Sequence, residues 1–226
     1  MNKYPVNDIY PCIQGEGSQT GLAMIMLRLQ GCGVGCPWCD TKETWAFGDR
    51  RTRRDTIEEV LGTNPLWCDV EADEIALYVS DLTREGGPQW ILISGGEPAV
   101  NNLAPLVREL QVHRYKVALE TSGTALGHVG AGFDWITVSP KLNMPGGLTV
   151  KPRAMSEANE IKFPVGKEQD IQNLIGLMQK GFIREGTAIC LQPISLSPTA
   201  TKLCEEMARQ HGWRLSVQVH KLLQLR

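Results

Sequence analysis

The run Gly31-Cys32-Gly33-Val34-Gly35-Cys36-Pro37-Trp38-Cys39-Asp40 offers three thiols in a C-x3-C-x2-C spacing, with no fourth cysteine close by. Structural zinc sites and electron-carrying iron–sulfur clusters normally close their coordination with four protein ligands. A cubane held by three cysteines leaves one iron open, and an open metal position is where a small molecule can bind and react. The competing reading is a zinc knuckle that takes a ligand from elsewhere in the chain. Gly31, Gly33 and Gly35 suit a loop wrapped around a bulky group, because glycine accepts positive φ and close backbone approach.

Further chemistry-bearing residues recur where apolar runs end. Ser94-Gly95-Gly96-Glu97-Pro98, Glu120-Thr121-Ser122-Gly123, Ser139-Pro140-Lys141, Gln192-Pro193 and Gln218-Val219-His220 each follow a stretch that reads as a strand. Arg28 can clamp a carboxylate in bidentate fashion or pair with a structural acid. Glu16 reads equally as a ligand for N–H donors and as a solvated turn residue, and His220 as a ligand or a core histidine. Cys12, Cys68, Cys190 and Cys204 are scattered and read as small buried apolar residues. Of six tryptophans, Trp38 sits within the cysteine loop and the others read as core.

The elements that must position these residues alternate in type. Strands are expected at residues 23–29, 90–94, 117–120, 135–139, 160–163, 188–192 and 214–218. Helical spacing joins Ala72, Ile75, Ala76, Val79 and Leu82, and Gly86-Gly87-Pro88 should end that helix. Three more helices are marked by Leu103, Leu106, Val107 and Leu110, by Ile171, Leu174, Ile175 and Met178, and by Leu203, Cys204 and Met207. Strands alternating with helices imply a parallel sheet with right-handed crossovers. A complete eight-fold barrel needs about 250 residues. The chain has 226, with about six strands and fewer helices, so an α/β incomplete, splayed parallel β/α barrel is expected as a single domain over residues 1–226. Helices should be missing at residues 121–132 and 140–152, where Gly and Pro concentrate. Such folds place their sites at the C-terminal ends of the strands.

Composition narrows the function class. The net charge of −2 lacks the basic excess of a nucleic-acid binder, and Arg50-Arg51-Thr52-Arg53-Arg54 reads as a solvated loop. No run approaches the ~20 apolar residues of a membrane span, and residues 1–5 lack the apolar core of a signal peptide. A cytoplasmic location is expected, where seven cysteines argue for metal or catalysis over disulfides.

The C-x3-C-x2-C loop on a strand exit resembles the cluster motif of radical S-adenosylmethionine (SAM) enzymes, and Gly95-Gly96-Glu97-Pro98 resembles their SAM-contacting turn. Gln14-Gly15-Glu16-Gly17, Arg28-Leu29-Gln30-Gly31-Cys32, Cys39-Asp40-Thr41, Glu120-Thr121-Ser122-Gly123, Ser139-Pro140-Lys141 and Gln192-Pro193 together are similar to the 7-carboxy-7-deazaguanine synthase family, over essentially the whole chain. The resemblance implies radical ring contraction of 6-carboxy-5,6,7,8-tetrahydropterin with loss of ammonia, on the route to preQ0 and queuosine. It implies a [4Fe–4S] cluster on Cys32, Cys36 and Cys39, SAM as a regenerated cofactor, and Mg2+ at Thr41, whose bland reading is a loop hydroxyl. Substrate would meet Ile13, Gln14, Gly15, Glu16, Arg28, Ser94, Glu120 and His220. SAM would meet Trp38, Gly96, Glu97, Ser139, Pro140 and Lys141. No side chain beyond the cluster and SAM is implied as catalytic. A flavodoxin- or ferredoxin-like electron donor and a homodimer are also implied. The alternatives are a radical SAM activator of a glycyl-radical enzyme and a non-catalytic zinc or iron–sulfur protein.

Overall fold

The protein is described by a computed structural model covering residues 2–48, 53–62, 66–84 and 86–225. Its strands are β1 (Lys3–Ile13), β2 (Ala23–Leu29), β3 (Arg53–Arg54), β4 (Trp67–Glu71), β5 (Trp90–Gly95), β6 (Lys116–Thr121), β7 (Trp135–Val138), β8 (Glu160–Val165), β9 (Ala188–Pro193) and β10 (Arg214–Leu215). Its helices are α1 (Ala72–Leu82), α2 (Ala104–Val112), α3 (Pro152–Glu157), α4 (Glu168–Gln179), α5 (Pro198–His211) and α6 (Val219–Leu223).

All ten strands join one sheet in the order β10-β9-β8-β7-β6-β5-β2-β1-β4-β3. Every neighbouring pair from β2 across to β10 is parallel. β1 runs antiparallel to both β2 and β4, and β3 lies parallel to β4 at the far edge. The two edge strands do not meet, so the barrel stays open, as expected. The helix-free stretch after β6 is also observed; after β7 the chain stays irregular through residue 151, and α3 begins at Pro152.

Period-two alternation sorts the side chains. Ile25, Leu27 and Leu29 of β2, Ile91 and Ile93 of β5 and Val117 and Leu119 of β6 share the main core with Ile75 and Val79 of α1 and Leu106 and Leu110 of α2. The intervening residues face the concave side. Met24, Leu92 and Ala118 close its floor. One step further along the same strands, Arg28, Ser94 and Glu120 reach the rim. β8 follows the same rule, with Ile161 and Phe163 in the core and Lys162 facing the concave side.

Three expectations are corrected. The eleven-residue β1 is absent from the sequence reading; Pro5 and Pro11 argue against a strand, and a register shift between Val6 and Asp8 breaks its alternation. The last strand is two residues long, and Ser216 instead accepts a hydrogen bond from the Gly17 amide, at 2.9 Å. His220 therefore lies on the short helix α6, away from any strand end. In the basic run, Arg53 and Arg54 form β3, and Arg53 pairs with Asp69 at 3.0 Å. Arg50, Arg51 and Thr52 lie outside the described residues. No helix among the described residues is long and apolar enough to cross a membrane.

Tyr4 ties β1 to the start of α2. Its buried hydroxyl donates to the Asn102 carbonyl at 3.0 Å and accepts from the Leu106 amide at 3.2 Å. Tyr4→Phe should orphan that amide and cost about 1–3 kcal/mol, read as a lower denaturation midpoint with an unchanged slope.

Candidate active site

A cavity of about 600 Å3 opens at the C-terminal ends of the parallel strands. Cys32, Cys36, Cys39 and Thr41 line one end of the sequence-derived set; Ile13, Gln14, Gly15, Glu16, Arg28, Ser94, Glu120 and His220 line the same cavity. Trp38, Gly96, Ser139 and Lys141 also border it. Glu97 and Pro140 are not among its lining residues.

The cysteine loop is built by backbone pairing. The Gly31 and Cys32 amides donate to the carbonyls of Thr44 and Trp45 at 2.7 and 2.9 Å, and the Gly96 and Glu97 amides donate to Leu29 and Gly31 at 2.9 and 2.8 Å. At Gly96 a Cβ would stand 2.4 Å from the Gly31 carbonyl oxygen, so only glycine lets β5 approach the loop this closely. Gly31 and Gly35 both have positive φ. All seven cysteines are free. Burial pushes the Cys32 and Cys36 thiols up, and the Lys141 ammonium pulls Cys36 back down.

These features fit a multi-iron group. Three thiols from one loop border one cavity, and that loop turns through glycines with positive φ at Gly31 and Gly35. The Trp45 indole N–H and the Thr41 amide point at the Cys39 sulfur, at 3.3 and 3.4 Å. Donors to ligand sulfurs stabilise thiolate charge and tune a cluster's potential. Trp45 was expected in the core; its place six residues past Cys39 is the signal that it belongs to the loop. The Thr41 hydroxyl lies 3.6 Å from the same sulfur and faces the cavity.

Glu97 is spent on structure. Its buried carboxylate accepts from the Ala99 amide at 3.0 Å, the Thr121 hydroxyl at 2.6 Å and the Ser122 amide at 2.7 Å, and also from the Ser122 hydroxyl. It thereby fixes the tip of β6 against the glycine turn after β5. Lys141 folds back to donate to the Ser139 carbonyl at 2.9 Å and hydroxyl at 2.5 Å.

Opposite the cysteines lies a polar network centred on Lys162, a residue absent from the sequence-derived set. Its ammonium donates to Glu16 Oε2 at 2.5 Å and Glu120 Oε1 at 2.9 Å, with only 4% of its side chain exposed. Burial would lower its pKa, but the two carboxylate charges overcome this and raise it. For Glu16, burial opposes ionisation, yet Lys162 and a bond from Gln218 hold its pKa below the ordinary carboxylate range. The stabilisation from Glu16 is thus present above that ordinary range and is lost as pH falls through the lowered value; that from Lys162 is present below lysine's ordinary range. Gln218 donates to Glu16 Oε1 at 2.7 Å, and Gln14 donates to Glu120 Oε1 at 3.2 Å.

The loop carrying these groups is anchored from the far end of the chain. The Ser18 amide donates to buried Glu160 at 2.6 Å, and the Val219 amide donates to the Gly15 carbonyl at 3.0 Å. The His220 ring packs where a Gly15 side chain would stand. Lys221 pairs with Asp40 at 2.8 Å, joining α6 to the cysteine loop. Arg28 donates to the Tyr10 hydroxyl at 2.8 Å and pairs with no acidic side chain among the described residues, which removes its structural-acid reading. Cys68, Cys190 and Cys204 are buried as expected, whereas Cys12 borders the cavity, its thiol pushed up to about 11 mainly by burial.

Comparison with known proteins extends this geometry. A family model described as a 4Fe-4S single cluster domain matches residues 13–143. A 7-carboxy-7-deazaguanine synthase of Escherichia coli K12 is 40% identical over 225 residues, covering 99% of both chains. One from Synechocystis is 32% identical over 224 residues, covering 99% of this chain and 94% of its own. A crystal structure of QueE from Escherichia coli superposes with a TM-score of 0.86 at 38% identity, covering 96% of this chain and 95% of the other.

Cys36→Ala should abolish the cluster's visible absorption after anaerobic reconstitution while far-ultraviolet dichroism stays native. Stoichiometric four-iron loading in that variant would refute the three-thiol site.

Proposed function

The chain belongs to the 7-carboxy-7-deazaguanine synthase family, and we propose that it converts 6-carboxy-5,6,7,8-tetrahydropterin into 7-carboxy-7-deazaguanine and ammonia. It is a carbon–nitrogen lyase of queuosine precursor biosynthesis with a 4Fe–4S cluster domain. Family membership displaces both alternatives drawn from the cysteine spacing, the glycyl-radical activator and the non-catalytic metal protein. The observation that carries the assignment is one cavity lined by three thiols, by an arginine with no acidic partner among the described residues, and by two glutamates bridged by a lysine.

When bound, the cluster supplies one electron and SAM the carbon radical that opens the ring contraction. The protein's own work is positioning. Arg28 donates to the Tyr10 hydroxyl through one nitrogen and can offer its remaining N–H groups to the substrate carboxylate, a charge-assisted pair. Glu16 and Glu120 offer acceptor oxygens to the N–H edge of the pterin, and Gln14 and Lys162 hold them in place. Ile13, Gly15, Ser94 and His220 complete the walls of the substrate chamber. On the cluster side, Gly96 presents backbone and Trp38 an apolar face to SAM. Ser139 and Lys141 border the same space with hydroxyl and charge, while Glu97 and Pro140 support the turns from behind.

Thr41 is the proposed Mg2+ ligand. Magnesium keeps several waters and needs few protein oxygens, so one hydroxyl beside the bound carboxylate suffices. Residues 1–226 act as one domain, in a homodimer, reduced by a flavodoxin- or ferredoxin-like donor in the cytoplasm.

Anaerobic incubation of the reconstituted protein with the carboxylated tetrahydropterin, SAM and a reductant should yield 7-carboxy-7-deazaguanine, identified by mass and ultraviolet spectrum. Cluster-loaded protein that cleaves SAM yet forms no product would overturn the assignment. Arg28→Ala should raise KM for the pterin by about 10–100-fold, the equivalent of a lost bond between charged groups, with reductive SAM cleavage still detectable. An unchanged KM would exclude the clamp.

A further inference from the structure

We propose that Lys162 is a positioning residue that keeps Glu16 and Glu120 both ionised and acceptor-only, so that the chamber selects a ligand edge made of N–H donors. This deepens the functional reading above and rests on it. The two carboxylates come from separate parts of the chain, Glu16 from the loop after β1 and Glu120 from the end of β6. They meet only at the Lys162 ammonium, 2.5 and 2.9 Å away. Two half-buried carboxylates drawn to one point repel, and without a cation between them one is driven to take up a proton; a protonated carboxyl is a donor. A donor aimed at a donor edge loses the hydrogen bond and leaves both groups unpaired.

The remaining acceptors are directed. Gln218 occupies Glu16 Oε1, and Gln14 and Lys162 share Glu120 Oε1. Glu120 Oε2 makes no hydrogen bond among the described residues, and the Glu120 side chain keeps 24% exposure, toward the cavity it lines. Other charged or titratable groups around the trio are Arg28 on β2, which lines the same cavity and acts with Glu120 on Cys12, Lys141 after β7, His220 on α6, and Cys12 on β1. Lys141 is bound back to Ser139, and His220 acts on Glu16 only through space, so neither replaces the bridging ammonium. Glu160, the other charged residue of β8 on this face, is occupied by the Ser18 amide.

The test is the pH dependence of KM for the pterin, measured from about pH 6.5 to about pH 8.5, between the ordinary carboxylate and lysine ranges. Wild-type KM should be flat there. Lys162→Met should raise KM about tenfold or more at the acid end, the size of one lost charged hydrogen bond, and recover as pH rises and the shared proton leaves. Lys162→Arg should restore the flat profile. A Lys162→Met KM that is unchanged, or raised equally at every pH, would overturn the proposal, since lost packing alone has no pH signature. If Lys162→Met does not fold, the Lys162→Met/Glu16→Gln double variant, freed of the carboxylate repulsion, should load its cluster and show a flat profile; a slope there refutes the mechanism. Absence of wild-type product would count against the functional reading itself, whereas wild-type turnover with a pH-independent Lys162→Met defect counts only against the lysine's role.

Discussion

Lys162 gives up nearly all contact with water to sit between Glu16 and Glu120. Taking such ions out of water costs several kcal/mol each, and apolar residues of similar volume often hold a core as well or better. Its value therefore lies in what it arranges. The bridge draws together three segments that the topology keeps apart: the loop after β1, the tip of β6 and the concave face of β8. Gln14 of the loop after β1 and Gln218, which precedes α6, complete it. The shared ammonium is the one group that binds all three of these segments at a point, and Ser18, Gly17 and Gly15 secure the loop beside it.

In the other half of the cavity the one ion pair among the described residues, Lys221 with Asp40, lies at the outer edge of the cysteine loop. There the constraint is contact between backbones. Gly96 lies so near the Gly31 carbonyl that no side chain fits, and the amides of Gly96 and Glu97 stitch the turn after β5 to the cysteine loop. Glu97 then fastens that turn to β6 through Thr121 and Ser122. Glu97, a residue of the glycine-turn motif, thus spends its carboxylate on holding the turn to β6. The cysteine loop inherits its rigidity from the sheet, and the sheet's register brings its thiols to the same cavity as Arg28 and Ser94, which are direct partners across β2 and β5.

Much of this was legible from residue types in order. The β2 run at 23–29 and the α1 spacing from Ala72 to Leu82 coincide with the observed elements, because alternation and helical periodicity were uninterrupted there. β1 was illegible, since two prolines and a polar Asn7-Asp8 step mask a strand whose pairing supplies the missing order. The short β10 failed for the opposite reason: residues with strand-like character leave the sheet to anchor the loop at Gly17. In the site, the cysteines, Arg28 and Glu120 were visible by type and place. Lys162 was hidden inside an apolar run and looked like strand. Its signal was Glu160 and Lys162 two apart in Glu160-Ile161-Lys162-Phe163, which puts two charges on one face of an otherwise buried strand. Such a face must be looking at partners. Glu97 shows the limit of motif reasoning, which places a residue at a site and is silent on where its carboxylate points.

The anchoring of the 14–18 loop has a consequence for the order in which this protein comes into being. Ser18 waits for Glu160, Gly17 for Ser216, Glu16 for Gln218 and Asp40 for Lys221, separations of up to about two hundred residues along the chain. Contacts this distant in sequence close late and slowly. The cysteine strand and its loop lie early in the sequence, yet the 14–18 loop that walls the chamber beside them is fastened only once residues 216–221 have folded back onto it. A cluster inserted before then would sit exposed to oxygen and solvent. Cofactor delivery is therefore best timed after residues 216–221 have docked, and that segment acts as the final fastening of an otherwise finished sheet.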